Sequence, residues 1–202
     1  MRQLSKILAL IVALLVMTAC QLTDRPAGDI LWPDLNDPYV LSTKEWTRSA
    51  AVYDGVNLRF VATATAKSLD WREAFVARYA AAYSQTPSEA AQALADQMRA
   101  HEAASEVILA LESPSMDVGR LSVRDEQWKV FALQGENKLY PQEIRRLKKS
   151  SWPETKLGTF FPYFNPWQKF YCVSFQRVAQ GPLTVVVSGP AGRVELGWEE
   201  FK

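Results

Sequence analysis

The chain has 202 residues, with 23 Lys and Arg against 22 Asp and Glu, one His, and 48% hydrophobic residues. So even a balance argues against a polyanion-binding role and suggests neither a nucleic-acid partner nor an electrostatic membrane patch. The length amounts to one domain, enough to bury a substantial core.

At the amino end, Arg2 and Lys6 precede an uncharged apolar run from Ile7 to Ala19, and polar residues resume at Thr23, Asp24 and Arg25. A spanning helix needs about 20 apolar residues to cross roughly 30 Å of hydrocarbon at 1.5 Å per residue, and this run is too short. The layout is that of a signal peptide. Met17, Thr18, Ala19 and Cys20 resemble the lipobox of bacterial lipoproteins, an aliphatic and two small residues ahead of a cysteine, with Met17 standing where leucine is usual. The resemblance implies that residues 1–19 are cleaved off and that Cys20 becomes a lipidated amino terminus, carrying diacylglycerol and often a further acyl chain. Each buried CH₂ contributes about 0.8 kcal/mol and a single chain anchors only marginally, so two or three chains hold a protein durably. Gln21 is not the aspartate that in many enteric-type bacteria marks inner-membrane retention, which favours the outer membrane, facing the periplasm.

Removing residues 1–19 leaves 183 residues (202 minus 19) and takes away two cations, for a balance of 21 minus 22, or −1. With Cys20 lipidated, Cys172 is the only other cysteine, so the mature chain has no intramolecular disulfide. Within KFYCVSFQR, Cys172 reads as a small buried hydrophobe. Residues 20–42, broken by Pro26, Gly28, Pro33 and Pro38, read as a lipidated tether and lead-in to a single domain over 43–202.

Two strand-like runs flank Asp54 and Gly55, a pair suited to a type I′ hairpin, with Leu58, Phe60, Ala62 and Ala64 on one face. The period then changes. Asp70 with Glu73 suits a helix start, and Trp71, Phe75, Tyr79 and Ala82 recur at helical spacing. Thr86, Pro87 and Glu89 open a second helix, placing a helical hairpin at about 70–104. SEVILALES reads as a central strand, QWKVFALQG as another, and RRLKK as a helical turn or loop whose solvated face outweighs lipid-headgroup contact. KFYCVSFQR is a further strand, and Gly189, Pro190 and Gly192 separate the strands of a terminal hairpin. Six or seven strands at this spacing predict a mainly β, α+β fold: an immunoglobulin-like β-sandwich with an inserted helical hairpin.

Residues for catalysis are sparse. His101 is the only histidine, and no GxSxG, CxxC or HExxH accompanies it, so no catalytic residue is assigned. One histidine and one buried cysteine do not make a zinc set, and DLND at 34–37 lacks the spacing of a calcium loop, so no metal or cofactor is expected. Asp70 with Glu73 is explained by capping, and Asp125 with Glu126 by a solvated turn, before a glycosidase pair need be invoked. The densest feature is TFFPYFNPWQKFY. Phe160, Phe161, Tyr163, Phe164 and Trp167 either form a lid closing the sandwich or present an interaction surface for a partner, a glycan or lipid. The expected function is that of a non-enzymatic binding or assembly module of the cell envelope, bound to the membrane through acyl chains on Cys20, with an envelope protein as candidate partner. The rival readings are an envelope hydrolase or glycan-modifying enzyme, and a carrier of an apolar ligand.

Overall fold

In the computed structural model, which describes Trp32 and residues 34–114 and 120–201, the first element lies partly within the stretch read as lead-in. Asp37 accepts a hydrogen bond from Tyr39 N, and Pro38 brings its preset φ to the first turn, so helix α1 forms at Pro38–Glu45. The compact unit accordingly begins at Asp34. The lipobox and residues 21–31 lie outside the described residues.

Strands β1 (Thr47–Asp54) and β2 (Asn57–Ala66) pair antiparallel through a tight turn. Gly55 takes φ +59° there, and Val56 is not among the residues of positive φ. Only the first central residue is left-handed, so the turn is not the type I′ expected, which needs two. Helices α2 (Leu69–Ala82) and α3 (Pro87–Ala103) follow. The cap of α2 is Ser68, which accepts from Trp71 N at 3.2 Å, not Asp70. Thr86 and Glu89 form the reciprocal capping box of α3.

The remaining elements are β3 (Ala104–Glu112), β4 (Lys129–Gln134), β5 (Asn137–Leu139), β6 (Glu143–Arg146), α4 (Glu154–Phe160), β7 (Lys169–Gln176), β8 (Gly181–Gly189) and β9 (Gly192–Phe201). The start of RRLKK is thus a strand and not a helical turn, because β6 pairs with β7 from Glu143↔Ser174 to Arg146↔Tyr171.

The fold is mixed α+β and built mostly of antiparallel strands. One sheet runs β1-β2-β3-β7-β6 and the other β5-β4-β8-β9. Phe60, Ala62 and Ala64 of β2 lie beside Leu109 and Leu111 of β3, and their inner face shares one core with Val185, Val187, Leu196 and Trp198 of the second sheet. Phe60 meets Trp128 edge-on at 5.1 Å across that core. At one side, Trp198 Nε1 donates to Trp46 O and Arg48 Nε to Gly197 O, both at 3.0 Å, joining the two sheets' edges.

Side chains alternate along a strand, so Glu106, Ile108 and Ala110 of β3 point away from this core, as do Phe170 and Cys172 of β7. The helical hairpin and the 160–168 segment cover that outer face. It carries the most concentrated chemistry of the described residues.

Candidate functional site: the helix-covered face of the first sheet

Glu106 stands at the centre of a charged cluster between β3 and the hairpin. Its Oε2 accepts from Lys67 Nζ at 2.6 Å and from Arg72 Nη2 at 2.8 Å, while Oε1 accepts from Cys172 Sγ at 3.4 Å. Arg72 is fully buried and spends its other donors on Lys67 O and Gln97 Oε1, at 2.8 and 2.7 Å. Burial alone would raise the Glu106 carboxyl, but Lys67 and Arg72 outweigh it and hold the pKa at about 2. Cys172 moves the other way. Burial, followed by the neighbouring carboxylate, pushes its thiol up to about 11, despite the opposing pull of Lys67. A thiol held protonated is a poor nucleophile, so Cys172 serves this face as a buried donor.

Beside the cluster is a recess of about 190 Å³. Trp71, Phe75, Trp152 and Phe161 supply aromatic walls, and Lys67, Arg145 and Gln97 a polar side. A second cleft, of about 580 Å³, opens between β4, β5 and β6, where Lys138 Nζ sits 3.9 Å from the ring centre of Phe131.

The aromatic segment splits by environment. Phe160 and Phe161 are buried: Phe160 ends α4 and packs on Phe75, Tyr79 and Trp152, while Phe161 stacks on Trp71 and meets Phe170 at a tilt. Tyr163 and Phe164 are half-buried against the core, and the Tyr163 hydroxyl shares a 2.7 Å hydrogen bond with Thr65. Trp167 stands out at 76% exposure. Lys156 lies against three rings, 5.2, 5.6 and 4.7 Å from the centres of Tyr79, Tyr83 and Trp152.

His101 lies buried in the last turn of α3, 3.1 Å from Arg177 Nη2. Burial, then the cations Arg177 and Arg72, lower its pKa. Asp125 uses its carboxylate to accept from Gln127 N and Trp128 N, both at 2.9 Å, fixing the turn into β4. In DLND, Asp34 caps Asn36 N at 2.9 Å and Asp37 caps α1. Among the described residues no group of three or more His, Cys, Asp or Glu is placed to hold a metal ion, and no helix is long and apolar enough to cross a membrane.

Sequence reasoning missed the Glu106 cluster, although a signal was present. Glu106 directly precedes the apolar run Val107–Leu111 of its strand, and Arg72 adjoins Trp71 in the first turn of its helix. A charge beside a buried run needs a partner, but which one depends on how β3 meets α2. Comparison with known proteins returns no matching family model, no matching curated protein and no matching solved structure.

Proposed function

We propose that the protein is a lipid-anchored cell-envelope lipoprotein whose folded domain faces the periplasm and acts as a non-enzymatic binding or assembly module. One observation carries the reading: Met17-Thr18-Ala19-Cys20 closes a short apolar run behind Arg2 and Lys6. The ionisable groups of the covered face fit it, because the Glu106 carboxylate accepts from Lys67, Arg72 and Cys172 together. Feeding cells a clickable fatty acid tests the anchor. Wild type should be tagged and Cys20→Ala should not; a tagged Cys20→Ala chain would refute the assignment.

We also read the two sheets as immunoglobulin-like. With β1 set aside, the orders β2-β3-β7-β6 and β5-β4-β8-β9 correspond to A-B-E-D and C′-C-F-G, with the helical hairpin lying in the A–B connection. The buried Trp128 immediately before β4 supports this reading, although β3 and β8 carry no cysteine pair.

A second reading, carriage of a small apolar ligand, is favoured by the aromatic walls of the recess beside Glu106. Native mass spectrometry of gently purified protein should then show a bound species of constant mass. A protein that is always empty would rule the carrier out.

A further inference from the structure

We infer that the domain lies on an anionic bilayer surface through a patch made of the Pro166–Trp167 loop and the basic segment 145–149, an inference that rests on the membrane anchoring proposed above. In the sequence these segments are about 20 residues apart. Antiparallel pairing of β6 with β7 brings them together, and Leu147 N donates to Phe170 O at 2.9 Å just past the end of β6. Arg146, Lys149, Pro166 and Lys169 consequently line one shallow depression.

Trp167 is held outward and not left dangling. Asn165 fixes the loop: its Oδ1 accepts from Trp167 N at 2.9 Å, its Nδ2 donates to Glu112 Oε2 at 2.8 Å, and its backbone N donates to Gln168 Oε1 at 3.1 Å. A rigid loop therefore presents an amphipathic ring, the side chain best suited to headgroup depth. In the depression beside this loop stand Arg146, Lys149 and Lys169, with Lys148 exposed next to Lys149 in the chain, Glu154 bound to Lys149 at 2.9 Å and Glu112 engaged with Asn165. The mature balance of −1 conceals this local excess of cations, because composition does not report where charges gather.

Tyr39 of α1 donates its hydroxyl to Phe160 O at 2.6 Å, so the amino-terminal helix packs on the same aromatic lid that continues to Trp167. A protein partner would call for a contiguous apolar area, whereas an exposed indole next to a depression lined by Arg146, Lys149 and Lys169 matches the charge and depth profile of an anionic headgroup layer. Each cation near such a surface raises partitioning about fivefold.

The full chain in vesicles whose lipids carry bromine on the acyl chains provides the test, since bromine quenches tryptophan fluorescence only at close range. Wild type and Trp167→Phe are compared in neutral phosphatidylcholine and with about 30% phosphatidylglycerol. The other tryptophans contribute equally to both chains, so the difference reports Trp167. Extra quenching of wild type is expected in anionic vesicles alone, collapsing at about 0.5 M salt and in Lys148→Glu/Lys149→Glu, with melting temperatures unchanged. Equal quenching of both chains in anionic vesicles overturns the patch, as does an equal difference in neutral ones. So does a Trp167 signal that appears only when envelope proteins are added. Amino-terminal mass on the same preparations separates the two claims. A lipidated chain without Trp167 quenching refutes the patch alone, while an unmodified chain with it refutes the lipid anchor and leaves the patch supported.

Discussion

Arg72, fully buried, donates from Nη2 to Glu106 Oε2 at 2.8 Å and so ties the helical hairpin to the central strand of the first sheet. Neither residue would be tolerable there alone. Replacing one partner of a buried pair leaves the other charge uncompensated, which costs about 3 kcal/mol, whereas an exposed pair contributes little. Glu106→Gln should therefore lower stability by about that amount in urea denaturation, and a double variant with Arg72→Met should recover part of the loss. A loss under about 0.5 kcal/mol would mean that Lys67 and Arg72 find other acceptors.

The same carboxyl predicts acid lability. Its folded pKa of about 2 lies below the ordinary 4.5, so it stabilises the fold fully above pH 4.5, and that contribution fades as pH falls from 4.5 towards 2. His101 is also depressed, which favours its neutral form in the fold and makes stability fall as pH drops below the ordinary 6.5. Melting temperature against pH should show both steps. The lower one should shrink in Glu106→Gln, with Glu89 and Glu154, whose carboxyls are also held low, leaving a remainder, and the upper one should shrink in His101→Gln.

Capping offers a sharper contrast. Ser68→Ala should cost about 1 kcal/mol, because Ser68 Oγ is the acceptor for Trp71 N at the start of α2. Asp70→Ala, at an exposed first-turn position, should cost less than half of that. Equal losses in chemical denaturation would show that Asp70 shares the cap.

Within the aromatic segment, Phe161→Ala should cost about 3–5 kcal/mol, since the ring is buried between Trp71 and Phe170. Trp167→Ala should change stability by less than about 0.5 kcal/mol. Thermal melts of the two variants would show whether this stretch divides between core and surface as its burial implies.

Gly189 tests backbone approach. A Cβ added at Gly189 would lie 2.6 Å from Trp128 Cε3, in the rigid edge-on pair that Trp128 makes with Phe60. Gly189→Ala should cost about 1–3 kcal/mol, and a smaller residue at position 128 should recover part of it.

Local chemistry made several elements legible. Thr86-Pro87 and Glu89 start α3 as the residues suggest, SEVILALES forms a central strand, and the Gly189–Gly192 stretch joins two strands. Each signal is complete within a few residues. Helix α1 had an equally local signal in Asp37-Pro38, hidden among prolines and acids that read as a tether. RRLKK was illegible for a different reason. Four charges in five residues favour a solvated loop, and only the pairings Arg145↔Cys172 and Arg146↔Tyr171 turn the start of that run into an edge strand.

From the sequence alone came the alternation of strand and helical periods, the stops between them and the resemblance of Met17 to Cys20 to a lipobox. All of these depend on neighbours along the chain. Tertiary structure decided which charges neutralise one another, which aromatics are buried, and that Arg146 and Lys149 of a basic run line one depression with Pro166. These depend on sheet register and helix packing, and a shift of one residue would send Glu106 into the core and Leu109 to the helices, a choice fixed by the summed burial of both faces.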